Sequence, residues 1–536
     1  MSPTPRDDRW TALTSNAYDL VVIGAGATGA GVALDAAARG LRVALIERDD
    51  VSAGTSSRST KLIHGGVRYL EKAVKEFDRT QFNLVRDALH ERATLIRIAP
   101  HLAKPIPLVT PLYNWLQVPY FMAGLKLYDG LAGRQNLAPS RFIDAQEAKR
   151  RFPMLQAEGL RGGVLYYDGQ FDDARFNVAI ALTAEEQGAT VVNHVAATGF
   201  DKENGALNAV HVRDTLDGRE GVVRTKAVVN ATGPFSDAVR RMDDPNVDPM
   251  LSVSSGIHVM LDARFSPPET GLLIPETEDG RVLFLLPWLG HTLVGTTDNP
   301  AEIEPHPKAH EDDVAYVLRH VEKYFDIPVS RDDVKASWSG LRPLVADPDS
   351  DSTARLSRDH VIVTSPAGLV TITGGKWTTY RRMAVEAVDE ALAVAGLDAP
   401  AVKTDELPLV GGAHFTPTGA GALQEAYGFD ADVAAHLHTA YGDRADAVAQ
   451  LARERGLEAR LAPDHPILEA EVPWAAEHEL AATSVDVLAR RTRLAFLDTD
   501  AALAALPRVG ELLQASLGWD DARRDEDRAD AVAYIV

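Results

Sequence analysis

Short apolar runs alternate with amphipathic stretches at the start of the chain. The run Leu20–Ile23 is brief and rich in β-branched residues, which is typical of a buried parallel strand. Ala30–Arg39 contains mainly good helix formers, and Leu41–Ile46 is a second apolar run. The pattern predicts a strand–helix–strand unit over Tyr18–Asp50.

The pattern then changes to mixed α/β. Residues 81–102 have the apolar spacing of a helix, whereas 225–233 and 256–263 resemble strands. Residues 281–298 read as two strands separated by Gly290. These segments predict a second sheet that forms a substrate domain.

A further change occurs around residues 406–413, "ELPLVGGA". Beyond this point Ala, Leu, Glu, Asp and Arg recur at helical spacing. We therefore expect a separate helical C-terminal domain over 406–536.

Composition narrows the class of protein. The chain has 536 residues and 45% hydrophobic content, enough for two or three domains with large cores. Its formal charge of −22 argues against a general nucleic-acid binder, which needs a basic face. The absence of cysteine excludes disulfides, thiolate metal sites and cysteine nucleophiles, and an intracellular protein fits best. The sixteen histidines form no ligand pattern, so no metal site is expected.

A glycine motif follows the first strand. Gly24, Gly26 and Gly29 form GxGxxG, and Glu47 ends the second strand. The glycines permit a tight turn, close approach of a pyrophosphate and close helix–strand packing. The acid lies where a carboxylate meets a ribose hydroxyl. Together these features predict a dinucleotide site.

The segments around the motif favour FAD over a nicotinamide cofactor. After the acid, 50–61 is a hydroxyl-rich loop rather than another strand–helix unit. Far along the chain, "AVVNATGPFSD" (227–237) is an apolar strand that ends in a glycine turn. We expect an extended FAD, with the distant strand covering its adenosine half.

Several loops carry candidate chemistry. "SSRSTKLIHGGVRYLE" (56–71) compresses hydroxyls, cations and a histidine into sixteen residues. "GGKWTTYR" (374–381) places Lys376 and two threonines before a helix, where electron-rich groups are favoured. Arg342 and Arg358 lie in two further loops and suit a phosphate, because the guanidinium binds two oxygens at once. The acids of "QFDDARF" (170–176) suit a helix N-cap.

In order and spacing, these motifs resemble the FAD-dependent glycerol-3-phosphate dehydrogenases of aerobic respiration. The similarity runs from the glycine loop to "RRTRLAFLD" (490–498). It implies a glycine-oxidase-like FAD-binding Rossmann domain, a mixed-sheet substrate domain and a helical C-terminal domain. It also implies oxidation of sn-glycerol 3-phosphate to dihydroxyacetone phosphate, with electrons passed to membrane quinone.

The resemblance assigns site residues and domain boundaries. On the substrate side it implies His64, Arg68, Tyr69, His258, Arg342, Arg358 and Lys376. Along FAD it implies Gly24, Gly26, Ala27, Thr28, Gly29, Glu47, Arg48, Thr55, Ser56, Ser57, Lys61, Leu62, Gly233, Gly375, Lys376 and Thr378. We predict a flexible lead-in over 1–17 and an FAD domain over 18–405, with FAD segments 18–80, 160–250 and 335–395 and substrate segments 81–159 and 251–334.

The general base is left open. His64 has a suitable ordinary pKa, and His258 is a second candidate. Lys376 can instead stabilise a developing alkoxide or the reduced flavin. Ser255 stands where many relatives carry a lysine, which argues against a mechanism that needs a second lysine.

Alternatives and partners also stay open. An oxidase of the same fold would use oxygen, and a related flavin dehydrogenase would take a 2-hydroxy acid or an amine. A homodimer is one candidate assembly.

No apolar segment is long enough to span a bilayer. Four prolines interrupt the segment 104–131, and its aromatic residues suit either core packing or shallow membrane insertion. We expect a cytoplasmic protein associated peripherally with the inner face of the cell membrane.

Overall fold

The computed structural model describes residues 4–66, 79–275, 277–278, 280–345, 360–401 and 403–536. Two large sheets carry most of the strands, and helices dominate after residue 401. The strands are β1 Ala17–Ile23, β2 Val43–Ile46, β3 Leu62–Ile63, β4 Ala103–Leu112, β5 Arg141–Asp144, β6 Gly162–Phe171, β7 Thr190–Val192, β8 Val195–Glu203, β9 Ala206–Asp214, β10 Glu220–Asn230, β11 Leu251–Leu261, β12 Gly271–Ile274, β13 Leu283–Trp288, β14 His291–Gly295, β15 Asn299–Pro300, β16 Val334–Val345, β17 His360–Thr364 and β18 Leu369–Gly374.

The helices up to residue 401 connect and cover these sheets. They are α1 Arg6–Ser15, α2 Ala27–Ala38, α3 Arg79–Ile98, α4 Gln117–Ala132, α5 Ala145–Arg151, α6 Asp173–Glu186, α7 Ser236–Asp243, α8 Glu311–Tyr324 and α9 Tyr380–Ala395. The later helices are α10 Gly419–Tyr427, α11 Ala431–Tyr441, α12 Ala445–Arg455, α13 Glu471–His478, α14 Leu494–Leu497, α15 Thr499–Leu517 and α16 Asp521–Ile535, with a π-helical segment at Asp486–Arg491.

The first sheet has the order β17-β18-β10-β1-β2-β7, with β9 and β8 added beside β10. Its centre is parallel: Val22 of β1 lies opposite Val229 on one side and Leu45 on the other. Helices cover these central strands, which explains their unbroken apolar runs. Gly31 of α2 allows α9 to approach closely, since a Cβ there would lie 2.7 Å from the Tyr380 ring.

The second sheet has the order β15-β11-β14-β13-β12-β4-β6-β3, with β16 paired to β11 and β5 to β6. The β11–β16 pair is antiparallel and sets His258 opposite Trp338 and Ser254 opposite Arg342. One face of this sheet packs on the apolar side of α8. The pairing therefore brings two segments that are far apart in sequence, those of His258 and Arg342, to one region.

Three expectations about organisation need correction. Residues 6–15 of the expected flexible lead-in form α1, which buries Leu13 and pairs Arg6 with Asp214 at 2.8 Å.

Strands β6 and β16 belong to the second sheet, although their segments were predicted to belong to the FAD domain. Both pair along their whole length with strands of the second sheet, and such long-range pairing leaves no local signal.

The proline-interrupted segment 104–131 forms β4 and most of α4. Trp115 and Leu116, in the turn between them, are 58% and 81% exposed. Phe121 of α4 is instead half-buried against a core cluster. Among the helices of the described chain, none is long and apolar enough to cross a bilayer.

Candidate active site

A cavity of about 1620 Å³ lies between the two sheets. Part of its wall comes from the glycine loop and the carboxyl ends of β1, β2 and β10. Further parts come from β11, β13, β16 and the loop after β14. The carboxyl ends of parallel strands are where open α/β sheets bind ligands.

The glycine loop has the geometry of a dinucleotide cradle. Gly24 has φ +100°, and a Cβ at this residue would lie 2.9 Å from the Ala231 carbonyl oxygen. A Cβ at Gly29 would lie 1.8 Å from the Gly24 carbonyl oxygen, so only glycine fits there. Gly26 is the N-cap of α2 and provides no side chain to cover the first turn. The start of α2 is thus open to a phosphate.

Two side chains shape this cradle. The Glu47 carboxylate accepts hydrogen bonds from the backbone amides of Ala25, at 2.7 Å, and Asp49, at 3.0 Å. Burial raises the pKa of Glu47. The Ser56 hydroxyl accepts the Ala27 amide at 2.9 Å, which brings the 50–61 loop against the helix N-terminus. These residues fit the adenosine and pyrophosphate part of FAD.

Most of the predicted cofactor residues line this cavity. Those that do are Gly24, Gly26, Ala27, Thr28, Glu47, Arg48, Thr55, Ser56, Leu62, Gly233, Gly375, Lys376 and Thr378. Gly29 packs behind the turn, and Ser57 and Lys61, which were predicted to lie along FAD, are buried and do not line the cavity.

Lys61 lies behind the cavity wall and is fully buried. Its Nζ donates to both Asp173 oxygens, at 2.8 and 2.7 Å, and to the Ser57 carbonyl at 2.7 Å. Burial lowers the pKa of Lys61 to about 7, although Asp173 favours the charged form. Lys61 therefore holds the 50–61 loop, part of which lines the cavity. The Ser57 hydroxyl points to the Gly54 carbonyl at 3.3 Å.

Four of the predicted substrate-side residues line the same cavity: His64, His258, Arg342 and Lys376. The other three, Arg68, Tyr69 and Arg358, lie outside the described residues.

His258 is held tightly on β11. Its Nε2 lies 2.9 Å from the Thr60 hydroxyl, and its ring stacks on Trp338 with centroids 5.5 Å apart. Burial lowers the pKa of His258 well below its ordinary value, and the charges of Lys61 and Arg342 add to this effect. The imidazole is therefore neutral at physiological pH.

Arg342 and Lys376 anchor two loops at the cavity. The Arg342 guanidinium donates to Asp298 at 3.2 Å and to the Thr296 hydroxyl at 3.1 Å. Lys376 Nζ lies 3.5 Å from the Gly65 carbonyl oxygen, next to His64. Both cations remain on the cavity wall, where they suit an anionic ligand.

The similarities to known proteins agree with this geometry. The family model described as FAD dependent oxidoreductase matches residues 19–381, and the model for the C-terminal domain of alpha-glycerophosphate oxidase matches 402–524. The mitochondrial glycerol-3-phosphate dehydrogenase of Mus musculus is 47% identical over 99% of this chain and 75% of its own length. The Arabidopsis thaliana relative of the same description is 47% identical over 98% of this chain and 87% of its own length.

The chain belongs to the FAD-dependent glycerol-3-phosphate dehydrogenase family. The solved structure of the glycerol-3-phosphate dehydrogenase from Bacillus halodurans, complexed with FAD, superposes with a TM-score of 0.81 at 28% identity, covering 100% of this chain and 97% of that one. The L-alpha-glycerophosphate oxidase from Mycoplasma pneumoniae, at 16% identity and a TM-score of 0.56, shares the fold. The expected family, fold class, FAD cofactor and enzyme class are confirmed.

Sequence reasoning missed several residues of this dehydrogenase site. Asp173 was expected only as a possible N-cap, but Asp172 caps α6 and Asp173 binds Lys61. Arg281 and Phe284 of the β13 region line the cavity without belonging to any recognised motif. Arg58 lies within the quoted loop motif and donates to the Ser339 carbonyl at 2.9 Å. Its position in sequence next to the predicted cofactor residues was the only feature that could have indicated a role for Arg58 at this site.

Proposed function

We propose that the protein oxidises sn-glycerol 3-phosphate to dihydroxyacetone phosphate in this cavity and passes the electrons to a membrane quinone. The observation that carries the proposal is a single continuous cavity, whose wall includes a dinucleotide cradle together with His64, His258, Arg342 and Lys376. FAD, when bound, would supply the acceptor for the C2 hydride of the substrate, its N5 atom.

The residues of the chain have separate parts in this proposal. Arg342 binds the substrate phosphate, because its guanidinium is on the cavity wall and its donors suit paired oxygens. The proton of the C2 hydroxyl goes to His64, since burial makes His258 a weak base. His258 then serves as a neutral hydrogen-bonding group. Lys376 stabilises negative charge that develops near the cofactor.

The part of the proposal that concerns the acceptor rests on α4. Gln117, Tyr120 and Phe121 line the cavity. The same helix and the turn before it expose an apolar patch, which consists of Trp115, Leu116, Tyr120 and Leu127. Trp and Tyr are favoured at the headgroup level of a bilayer. The patch therefore suits shallow membrane contact beside the cavity, where an apolar acceptor can approach.

The reaction is tested by the flavin spectrum of the FAD-loaded protein under anaerobic conditions. Glycerol 3-phosphate should bleach the oxidised flavin at submillimolar concentration. Glycerol, which lacks the phosphate, and lactate, a 2-hydroxy acid, should not bleach it at the same concentration. Faster bleaching by lactate would contradict the proposed substrate. Steady-state rates with a soluble quinone analogue and with oxygen then separate a dehydrogenase from an oxidase.

A further inference from the structure

A chain of buried polar contacts lies behind the His64 loop. Arg92 of α3 is fully buried and donates to Asp168 Oδ1 at 2.7 Å. The Tyr128 hydroxyl of α4 donates to the same oxygen at 2.9 Å. That hydroxyl in turn accepts the Gly65 amide at 2.8 Å. The contacts connect two helices and β6 to a single backbone amide.

Gly65 is also held by its shape. A Cβ at this position would lie 3.0 Å from the Tyr128 ring and 2.9 Å from the Leu89 side chain. The backbone therefore lies directly against the ring whose hydroxyl accepts its amide. A peptide held at two points has little freedom to shift.

The carbonyl side of Gly65 lies next to the cavity wall. Its carbonyl is the group that lies 3.5 Å from Lys376 Nζ. The preceding residue, His64, donates its amide to the Thr378 hydroxyl at 3.3 Å and lines the cavity. The position of Gly65 thus determines where His64 and Lys376 stand relative to each other.

These buried polar contacts contribute little to the stability of the fold for the hydration that their charged groups lose. Arg92 Nε and Nη2 are buried and have no hydrogen-bond partner among the described residues. Buried ion pairs rarely stabilise more than apolar side chains of the same size, because both charges lose their hydration. An apolar trio would pack as well. What the polar trio adds is a directional contact to the Gly65 amide.

We propose that Arg92, Asp168 and Tyr128 are positioning residues for the dehydrogenase reaction: they fix the Gly65 peptide and thereby align His64 and Lys376 with the substrate. Asp168 orients the tyrosine hydroxyl, and Arg92 holds the carboxylate. This inference rests on the proposed function, in which His64 takes the hydroxyl proton.

The test compares Tyr128→Phe with the parent holoenzyme in anaerobic stopped-flow mixing with glycerol 3-phosphate. The variant keeps the ring against Gly65 but loses the hydroxyl. We expect the flavin reduction rate to fall about 10- to 100-fold, because small misplacements of reacting groups have effects of this size. The substrate concentration at half-maximal rate should change less than about 3-fold, since the Arg342 contacts do not involve Tyr128.

Tyr441→Phe is the matched control. It removes a buried tyrosine hydroxyl that donates to a carboxylate, Glu471, at 2.8 Å, and Tyr441 does not line the cavity. Its flavin reduction rate should equal that of the parent. A Tyr128→Phe protein that binds FAD and is reduced as fast as this control would overturn the proposal.

Hydrogen exchange of the parent holoenzyme is a second test of the proposed contact at Gly65. It depends neither on the folding of a variant nor on the substrate. The Gly65 amide should exchange as slowly as the amides of buried strands. Exchange at the rate of an exposed loop would overturn the inference. If glycerol 3-phosphate fails to bleach the parent flavin, the proposed function fails, whereas the exchange rate still decides whether the Gly65 amide is held as its hydrogen bond to Tyr128 requires.

Discussion

At the scale of single residues, the sequence predicts which loops carry donors but not which way each donor points. Ser56 and Lys61 belong to one motif, yet Ser56 lines the cavity and Lys61 is fully buried. The difference is decided by Asp173, 112 positions away from Lys61, whose carboxylate binds the ammonium. A buried charge needs a partner, and no local pattern identifies a partner so distant.

The role proposed for Arg342 gives a prediction at this scale. Arg342→Ala removes a charged donor to the substrate phosphate, worth about 1.5–3 kcal/mol, and should weaken binding of glycerol 3-phosphate about 10- to 150-fold. Titration of the oxidised flavin spectrum with substrate analogue, and KM, measure the effect. Glycerol should be an equally poor ligand for parent and variant.

Arg264→Ala is the control for Arg342→Ala. Arg264 is an exposed arginine of the second-sheet region that pairs with Asp333, and it is not part of the cavity wall. Surface ion pairs contribute about 0–1 kcal/mol, so this variant should bind substrate like the parent. Equal affinity of the Arg342→Ala and Arg264→Ala proteins would show that the phosphate is bound elsewhere.

At the scale of elements, local sequence patterns were sufficient to predict helices and strands where residues close in sequence are also close in space. The β1–α2–β2 unit, the β13–β14 hairpin around Gly290 and helix α3 were all predicted close to their observed bounds. Strands β6 and β16 pair in the second sheet, although their segments were predicted to belong to the FAD domain. The apolar pattern of a strand indicates which of its faces are buried but not which strand it pairs with.

The apolar patch at the start of α4 gives a prediction for one element. The double variant Trp115→Asp, Leu116→Asp should lose sedimentation with phosphatidylcholine vesicles at about 1 M salt, whereas the parent should retain it. Apolar burial survives salt that screens charges, and the net charge of −22 opposes purely electrostatic adsorption. Neither residue lines the cavity, so the rate with a soluble acceptor should stay unchanged.

Val222→Asp, Val532→Asp is the matched control for the membrane prediction. Both valines are exposed, at 41% and 40%, on other parts of the surface. This variant should sediment with vesicles like the parent. If both double variants lose sedimentation equally, the patch on α4 has no special part in membrane contact.

At the scale of the whole molecule, the C-terminal helices prove to be more than an appended domain. Arg493 lies beyond the π-helical segment and donates to the Ser57 carbonyl at 2.9 Å and to Asp173 at 3.2 Å. Arg491 binds Asp50 at 2.7 and 2.9 Å. The sequence predicted the helical character of this part from its spacing. It could not predict that these arginines hold the loop beneath the cofactor site, since the contacts cross more than 300 positions.

The ion pair between Arg175 of α6 and Glu479 links the same two parts of the molecule. Both Arg175 donors lie 2.9 Å from the Glu479 oxygens. Burial raises the pKa of Glu479, but the charge and hydrogen bonds of Arg175, together with the charges of Arg444 and Arg491, outweigh burial and lower the pKa to about 2 from an ordinary 4.5. Ionised Glu479 therefore contributes stability above pH 4.5, and this contribution declines as pH falls towards 2.

Glu479→Gln should accordingly lower the free energy of unfolding by about 3 kcal/mol at neutral pH. This value follows from the lowered pKa of Glu479, and Arg175 also loses its carboxylate partner in the variant. In urea titrations followed by tryptophan fluorescence, the difference from the parent should narrow by about 1.4 kcal/mol per pH unit below pH 4.5. Glu477→Gln, which removes a partner of the surface residue Arg455, should cost less than about 1 kcal/mol. A difference for Glu479→Gln that stays constant from neutral pH to about pH 3.5 would mean that the carboxylate is not what holds the C-terminal helices to α6.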